Sequence, residues 1–352
     1  MKVSLILFFI IIFLNLFFSK SKFTFFLLNF YLFILMAFNN SIADRVTYKA
    51  IYVYPENYID IDIGFQLLVK LSKLVGLNFQ SFINLIFIIS LLLIARIVLL
   101  LSDRPGIVSV LYCIYPFFND AAQIRSFLGM ALMISGVYYL FFAEKSDKLK
   151  FFLFLILAGS VHYTFFLFVF LLFLRNTEDI LKVFKMILVS IATMLLLFPI
   201  ILTVIRKFFP PIWVRISHYF DLSTSINTKI GVFMIFITTF MLVVFYMNKN
   251  IYTGDSNIYA SKQYLNLNLF LFALFPLVFY SIEFLRLYRS MLIFNYILFS
   301  NTLGIRKKFI GKDLVMNTVL VCYFAVLFYY FDYSLIYDSI IIPLFEENTW
   351  LK

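Results

Sequence analysis

The sequence has few charged residues. Asp, Glu, Lys and Arg make up only 13% of its 352 residues, whereas soluble domains are close to one quarter charged. Hydrophobic residues make up 64% of the chain, and the mean hydropathy is +1.00. Because a soluble fold cannot cover its surface with so little polarity, the composition excludes soluble domains and predicts a polytopic membrane protein.

Glycine, proline and cysteine are also scarce. Ten Gly and eight Pro are too few for a collagen or a Pro/Gly-rich disordered chain. Cys113 and Cys322 both lie in apolar stretches, where we expect them to pack as small hydrophobic residues rather than form a disulfide framework.

Several catalytic signatures are missing as well. The absence of GxxxxGK[ST], GxSxG, HExxH and CxxC motifs disfavours an ATPase, a serine hydrolase, a zinc protease and a thiol oxidoreductase. His162 has no neighbouring Cys/Asp/Glu cluster, so we predict neither a metal centre nor another cofactor. The net charge of +11 is attributed to cytoplasmic loops, and we predict no nucleic-acid partner.

Apolar segments of transmembrane length recur along the chain. A spanning helix needs about 20 apolar residues. Ten candidates are 3–19, 23–38, 79–101, 106–118, 124–142, 186–205, 230–248, 264–282, 285–303 and 314–331. The whole chain, 1–352, is therefore predicted to be one all-α polytopic integral membrane domain with about 10–12 transmembrane helices.

Two further segments are ambiguous. Segment 64–78 carries Lys70 and Lys73 among apolar residues at helical spacing, which is typical of an interfacial amphipathic helix. Segment 151–174 has SVHYT at its centre and a basic stretch on each side. A single span cannot place both basic stretches in the cytoplasm, so we predict a re-entrant hairpin with His162 near its tip.

Charge asymmetry then sets the orientation. The predicted inner loops are 20–22, 144–150, 175–185 and 306–312. The predicted outer segments are the loops at about 39–62, 119–123 and 206–229 and the tail 332–352. Basic residues are expected on inner loops, but one predicted outer loop carries Arg206, Lys207 and Arg215. This exception indicates either an anionic ligand or a different topology at that point.

Ionisable residues inside apolar segments are the best functional candidates, because burying them costs about 2.5–3.5 kcal/mol on insertion scales. Arg96 lies near an inner end and is interpreted as snorkelling. Arg125 opens a span directly after the polar stretch 119–123, where it is either an interfacial anchor or a bidentate phosphate ligand. His162 is either a hydrogen-bonded structural residue or a group that handles protons or phosphate.

A second group of candidates lies later in the chain and in the first outer loop. Glu283, Arg286 and Arg289 follow one another at intervals of three residues and share roughly one helix face. An ion pair within the helix would lower the cost of burial and would leave one arginine unpaired. With Arg125, Arg206, Lys207 and Arg215, the two arginines are predicted to form a basic outer funnel suited to a diphosphate or an acidic glycan. The first outer loop offers Asp44 and Tyr48, which also fit an ordinary solvated loop.

The order of these features resembles the EpsG/Wzy group of bacterial polysaccharide polymerases. The similarity runs from about residue 43 to 174. It is carried by ADRVTYKAIY (with Asp44 and Tyr48), by DIGFQLLVKLSKLVGLNFQSF (with Asp62 where Glu is more usual), by NDAAQIRSFLGMAL (with Arg125) and by AGSVHYTFF (with His162). A weaker match, FLRLYRSMLIFNY, contains Arg286 and Arg289.

The resemblance implies a metal-independent glycosyltransferase with a GT-C-like membrane architecture in the bacterial inner membrane. Its substrate would be an undecaprenyl-diphosphate-linked oligosaccharide repeat unit, polymerised at the outer face into O-antigen or a related polysaccharide, with a chain-length co-polymerase as a possible partner. His162, Arg125 and Asp44 would be catalytic, and Arg125, Arg286, Arg289, Tyr48 and Arg215 would bind the diphosphate-linked substrate.

Three other functions fit many spans and a basic cavity. They are a lipid-linked glycan flippase or other transporter, a membrane O-acyltransferase that modifies the same glycans, and a non-catalytic scaffold. A flippase would leave untransported repeat units on the inner face. An acyltransferase mutant would make polymer of normal length, and a scaffold would tolerate substitution of Arg125 and His162.

Overall fold

The computed structural model describes residues 2–39, 43–58, 61–175, 180–210, 213, 217, 226–253, 258–303, 310–333 and 336–351. These residues are almost entirely helical and form no β-strand, apart from an isolated bridge between Asn39 and Asn348. The prediction of an all-α polytopic membrane protein is confirmed.

The described residues form seventeen α-helices. The first half contains α1 (Lys2–Phe17), α2 (Lys22–Ala37), α3 (Ala43–Val53), α4 (Ile63–Leu74), α5 (Phe79–Leu101), α6 (Pro105–Ile114), α7 (Phe117–Ala122), α8 (Ile124–Val137), α9 (Lys148–Val161) and α10 (Leu171–Arg175). The second half contains α11 (Ile180–Phe208), α12 (Ile226–Thr253), α13 (Ile258–Ala273), α14 (Phe275–Tyr280), α15 (Leu285–Thr302), α16 (Ile310–Leu327) and α17 (Ile342–Glu346). Short 3₁₀ helices are Pro55–Asn57, Tyr163–Phe170 and Ile282–Phe284, and π-helical segments are Tyr138–Phe142, Phe328–Tyr333 and Tyr337–Ile341.

Four helical stretches among the described residues are long and apolar enough to cross a membrane. They are Phe79–Leu101, Ile124–Phe142, Thr228–Asn248 and Lys262–Tyr280. Four other predicted spans, 3–19, 23–38, 106–118 and 314–331, correspond to apolar helices of only 10–17 residues. The predicted span 186–205 lies within α11. The predicted span 285–303 is α15, which is buried along nearly its whole length by the other helices.

Helix ends gather at two opposite ends of the bundle. At one end Arg45 of α3 donates hydrogen bonds to the carbonyls of Met36 and Ala37 at the end of α2, and to Gln80 at the start of α5. At the other end the Asp103 amide donates to the Asn301 side chain, and the Gly106 amide donates to the Ser19 carbonyl. The first end, which also holds the candidate site, is called the site end below.

The predicted hairpin at 151–174 is present. Helix α9 stops at His162, whose backbone is extended (φ −151°, ψ 109°), and the chain continues as the 3₁₀ helix Tyr163–Phe170. The Phe166 ring lies against Gly159, where an added Cβ would come within 2.6 Å of it. Both α9 and α10 contact the π-helical segment Tyr138–Phe142. The two arms therefore return to the same end of the bundle, with His162 at the turn.

The segment predicted as an interfacial helix forms α4, which ends at Leu74 and is followed by Val75 and by Gly76 in the left-handed region (φ 76°). One face is buried through Phe65, Val69 and Ser72, whereas Leu67, Leu71 and Leu74 are exposed. At its start, Gly64 packs so closely on α9 that an added Cβ would lie 2.3 Å from Ser160 Oγ. This contact brings the start of α4 against the hairpin.

Polar side chains bind the buried helix α15 to its neighbours. Asn268 of α13 and Asn295 of α15 exchange two hydrogen bonds of 2.8 and 2.9 Å between their amide groups. Tyr296 donates to the Tyr115 carbonyl at 2.8 Å. Helix α15 thereby extends through the bundle with its first turn, which carries Arg286, at the site end.

Candidate functional site

Arg125 and Asp62 form an ion pair at the centre of the site end. Nη1 of Arg125 donates to Oδ2 of Asp62 at 2.8 Å across 63 residues of chain. Asp62 is the residue before α4, and its other oxygen accepts a hydrogen bond of 3.1 Å from the backbone amide of Tyr163. One carboxylate therefore connects the starts of α4 and α8 to the tip of the hairpin.

Aromatic rings support the Arg125 guanidinium. Its central carbon lies 5.9 Å from the ring centroids of both Tyr48 and Phe65. Tyr48 and Phe65 also pack edge to face, with centroids 5.8 Å apart. Since an arginine over aromatic faces gains cation–π stabilisation and loses side-chain freedom, this packing holds Arg125 in one orientation with part of its side chain still accessible.

His162 is buried at the hairpin tip and bonded through both ring nitrogens. Nε2 lies 2.6 Å from Nη1 of Arg286, and Nδ1 lies 2.9 Å from the Thr164 hydroxyl. A guanidinium can only donate, so Nε2 accepts and carries no proton. The proton is then on Nδ1, which donates to Thr164 Oγ1, and the imidazole is neutral.

Arg286 is held on its other side by its own helix turn. Nε donates to the Glu283 carbonyl at 2.8 Å, and Nη2 forms an ion pair with the Glu283 carboxylate. The Ser281 hydroxyl accepts a hydrogen bond from the Glu283 amide and fixes this turn. The ion pair predicted from the three-residue spacing is present, and it turns the guanidinium toward His162.

Arg289, one turn further along α15, faces a different cluster. Nη2 donates to Gln123 Oε1 at 2.6 Å and lies 3.8 Å from Oδ1 of Asp120. Tyr112 donates to the other Asp120 oxygen at 3.1 Å. Burial raises the pKa of Asp120 to about 6, although Arg289 and the Tyr112 hydroxyl oppose this shift. This buried cluster lies beside the Arg125 site, because Gln123 directly precedes α8.

Asp44 and Asp62 both lie in the field of two arginines. Asp44 lies in the first turn of α3, and Asp62 lies directly before α4. Removal from water raises the pKa of each carboxyl group, and the charges of Arg125 and Arg286 oppose that rise in both cases. The same two arginines act on His162. Two cations, two carboxyl groups and one neutral imidazole therefore share one electrostatic environment.

A cavity of about 370 Å³ adjoins this group. It is lined by the 3₁₀ turn after α3, by the first two turns of α4 and by Tyr163. The Tyr163 ring is 45% exposed, and Glu56, Gln66 and Lys70 supply polar groups. The Tyr163 amide is the group that binds Asp62, so the cavity wall is joined directly to the Arg125–Asp62 pair.

Five of the predicted site residues come together at the site end: Asp44, Tyr48, Arg125, His162 and Arg286. Arg289 lies beside them in the Asp120 cluster. Arg206 stacks over Trp213 at 5.8 Å from the ring centroid, and Arg215 lies outside the described residues. Among the described residues, no group of three His, Cys, Asp or Glu side chains is arranged to hold a metal ion.

The sequence analysis did not assign a role to several residues that build the site. Asp62 was noted only for its place in a motif, yet it is the ion-pair partner of Arg125. Asp120 and Gln123 lie in the polar stretch 119–123, and they are the partners of Arg289. A polar stretch between two apolar helices was a usable signal, because buried carboxylates require cationic partners.

Comparison with known families gives one match. A model described as the EpsG family matches residues 22–346, nearly the whole chain. Neither the curated proteins nor the solved structures gave a match. The matched region contains every residue of the site described above.

Proposed function

The chain belongs to the EpsG family, and from this premise we propose that it is a polymerase of lipid-linked oligosaccharide repeat units. The proposed donor is a glycan chain on undecaprenyl diphosphate, and the proposed acceptor is a new lipid-linked repeat unit. The product is an O-antigen or a related surface polysaccharide. We place the reaction at the outer face of the bacterial inner membrane, because the basic loops of the chain favour the opposite face.

The observation that carries this proposal is the pairing of two guanidinium groups with a neutral histidine at one end of the bundle. Arg125 and Arg286 both act on Asp44, Asp62 and His162. Guanidinium groups bind phosphate oxygens bidentately and do not lose their charge. A glycosyl diphosphate develops negative charge on its leaving group, and fixed cations at that position lower the barrier.

The proposed reaction is a single glycosyl transfer. A hydroxyl oxygen of the acceptor attacks the anomeric carbon of the donor glycan, and the bond between that carbon and the diphosphate oxygen breaks. Undecaprenyl diphosphate leaves with the bonding electron pair, and the acceptor hydroxyl loses its proton to a base in the site. The donor is already activated, so the step requires no nucleotide.

The hydrogen bond between Arg286 and His162 suggests how the base becomes available. Nε2 is occupied by Arg286 in the described arrangement. When a diphosphate draws the Arg286 donors to its oxygens, the lone pair of Nε2 is freed from its hydrogen bond and becomes available in the site. His162 then serves as the general base for the acceptor hydroxyl, and Asp44, whose pKa is raised, is the second candidate.

The cavity beside Tyr163 suits the acceptor sugar. It combines an exposed aromatic ring with a carboxylate, an amide and an ammonium group, and ligand sites are typically apolar walls with a few placed polar groups. We assign the prenyl chains to the surrounding lipid. A chain-length co-polymerase is an expected partner in the cell.

The function is tested by deleting the gene in its own host and profiling surface polysaccharide on gels. Complementation with wild type should restore a ladder of chain lengths, whereas Arg125→Ala at equal protein level should give single repeat units. Lys49→Ala is the matched control, since Lys49 is an exposed cation on α3. An unchanged ladder in the deletion strain would overturn the proposal, and loss of even single units would favour a flippase.

An experiment with purified protein distinguishes glycosyl transfer from transport of the repeat units. Lipid-linked repeat units extracted from the deletion strain are mixed with purified protein in vesicles. Wild type should convert them to longer chains and release undecaprenyl diphosphate in equal amount to the linkages formed. Polymer of normal length that lacks acyl groups in the deletion strain would instead indicate an acyltransferase.

A further inference from the structure

A second, basic cavity lies at the opposite end of the bundle from the site. Its volume is about 730 Å³, and it lies between the inner part of α5, the π-helical segment after α8 and the first turn of α9. Arg125 lies at the start of the helical stretch Ile124–Phe142, and the cavity lining on this stretch begins at Tyr138. The helical rise from Arg125 to Tyr138 is roughly 20 Å, about two-thirds of the hydrocarbon thickness of a bilayer.

The charge of this cavity is strongly positive. Its lining contains four cations, Arg96, Lys145, Lys148 and Lys150, and one carboxylate, Asp147. Asp147 caps α9: one oxygen accepts the Lys150 amide at 2.9 Å, and the other pairs with Lys150 Nζ at 3.1 Å. Among the described residues of the lining, the one acidic group is therefore already engaged by Lys150, and no further carboxylate offsets the other three cations.

One wall of the cavity is held in place by Tyr139. Arg96 donates to the Tyr139 hydroxyl at 3.0 Å, with its guanidinium 5.7 Å from the ring centroid. Lys150 Nζ lies 5.0 Å from the same centroid, and the Phe154 ring stacks on it at 5.8 Å. Hydrogen bonds from Asp147 and Ser146 to carbonyls of the π-helical segment hold the loop closed over this wall. Arg96 and Lys150 are thus held around one ring, and Lys145 and Lys148 lie on the loop and first helical turn that close over this wall.

The cavity borders an apolar surface. Leu149 and Leu153, in the first turns of α9, are 81% and 55% exposed, and Leu92 of α5 is 58% exposed. A cationic cavity next to an exposed apolar surface matches a glycerophospholipid, in which a phosphate is joined to acyl chains. Basic pockets between helices on the cytoplasmic side are known sites for anionic lipid headgroups.

We propose that this cavity binds the headgroup of an anionic phospholipid, with its phosphate held by Arg96, Lys145 and Lys148 and its acyl chains along Leu149 and Leu153. The bound lipid would attach the base of the hairpin to the bilayer surface. This hairpin consists of the two segments that flank His162. The proposal is independent of the polymerase function, because none of these residues belongs to the site around Arg125.

The test uses the full chain in nanodiscs and phosphatidylglycerol as the probe. The wild-type protein should have a higher thermal midpoint in phosphatidylglycerol than in phosphatidylcholine. In native mass spectrometry it should retain bound phosphatidylglycerol but not phosphatidylcholine. The double variant Lys145→Gln/Lys148→Gln should weaken phosphatidylglycerol retention by about 30-fold, the change expected from about 1 kcal/mol for each cation. Both lysines are exposed, so their removal should leave the fold intact.

The matched control is Lys20→Gln/Lys22→Gln, which removes two exposed cations from the same predicted face. It should change phosphatidylglycerol retention less than about twofold. Equal losses in the two double variants would mean that the lipid responds to overall charge, and would overturn a defined site. Equal stabilisation of wild type by soluble glycerol phosphate would assign the cavity to a free phosphate compound, and would also overturn the lipid proposal.

Discussion

Nη1 of Arg286 lies 2.6 Å from Nε2 of His162, across 124 residues of chain. This contact joins the first turn of the buried helix α15 to the tip of the hairpin. It sets the tautomer of His162 and engages Arg286 before any substrate is bound. The first prediction tests whether His162 orients Arg286 or also moves a proton.

His162→Gln replaces the imidazole with a side chain that still offers an acceptor to Arg286. If His162 is the general base, this variant should lose about 10²–10⁴-fold in the rate of glycosyl transfer, together with the pH dependence due to the imidazole. The measurement is the pH–rate profile of polymer formation in vesicles. Near-normal rates in His162→Gln would restrict the residue to holding Arg286.

Thr164→Val is the companion variant, because it removes the Nδ1 partner but keeps the side-chain volume. The histidine then loses the bond that fixes its proton on Nδ1, and we expect a smaller fall, about tenfold. A fall as large as that of His162→Gln would indicate disruption of the hairpin rather than of the tautomer.

Arg125→Ala should lower the rate of polymerisation by about 10²–10³-fold, the usual effect of removing one donor to a developing oxyanion. It also leaves Asp62 buried without its partner, so protein level must be measured alongside. Arg125→Lys keeps the charge but loses the two-pronged geometry, and we expect an intermediate rate. The readout is chain length and rate with extracted lipid-linked repeat units. A fully active Arg125→Lys would show that charge alone is needed.

The Asp120 carboxyl group predicts a specific dependence of stability on pH. Its folded pKa is raised to about 6, above the unfolded value near 3.9, so the folded state binds the proton more tightly. The stabilisation is complete below the unfolded pKa and is lost as the pH rises through about 6. The total change is on the order of 3 kcal/mol. The thermal midpoint in detergent should therefore fall between pH 4 and pH 7 more steeply for wild type than for Asp120→Asn.

The variant Arg289→Gln tests the same dependence of the thermal midpoint on pH from the side of the cation. Arg289 opposes the rise of the Asp120 pKa, so its removal should move the pH window upward. Parallel pH profiles for wild type and Asp120→Asn would contradict the assignment, since other acids titrate equally in both proteins.

Two glycines give opposite predictions for the same substitution. Gly64→Ala places a Cβ 2.3 Å from Ser160 Oγ and 2.7 Å from the Ser160 carbonyl carbon. We expect it to destabilise the protein by about 1–3 kcal/mol and to reduce activity, because Asp62 lies two residues away. Gly231→Ala in α12 meets only ordinary contacts at 3.5 Å and beyond. It should be neutral or stabilising, since alanine favours a helix by about 1 kcal/mol.

The measurement is the thermal midpoint and the polymerisation rate of both alanine variants. A Gly64→Ala protein as stable and active as Gly231→Ala would mean that α4 does not pack on α9 as closely as described.

The hairpin could be predicted from the sequence because the charges that require it lie directly beside it in the chain. Two basic stretches flank 151–174, and both can lie on one side of a membrane only if the chain turns back. His162 was expected near the tip for the same reason, and the structure confirms it. Arg125 and Arg286 were named from their charge in apolar surroundings, which is a property of the sequence alone. Asp44 was named because it lies in the first outer loop and matches an element of the family that the sequence resembles.

Pairings between distant segments could not be predicted in this way. Arg289 was left without a partner because its neighbours in sequence offered only Glu283. Its partners, Asp120 and Gln123, come from a different helix connection, and only the packing of α15 against α8 brings them together. The number of spans was equally hard to predict, since hydropathy measures whether a helix is apolar and not whether lipid or protein surrounds it. Segment 285–303 was counted among the predicted spans, yet it is not among the four described stretches long and apolar enough to cross a membrane, and other helices enclose α15 along nearly its whole length.

The amide pair between Asn268 and Asn295 has a consequence for the arginines of α15. In a membrane, contacts between leucine side chains favour no particular rotation of a helix about its axis, because lipid is as apolar as the neighbouring helix. Sliding α15 by a single residue would rotate it by about 100°, break both amide bonds and turn Arg286 away from His162. The hydrogen bonds between Asn268 and Asn295 therefore fix the rotation of α15 about its axis. Two uncharged side chains, more than two turns from Arg286, determine the direction in which that arginine points.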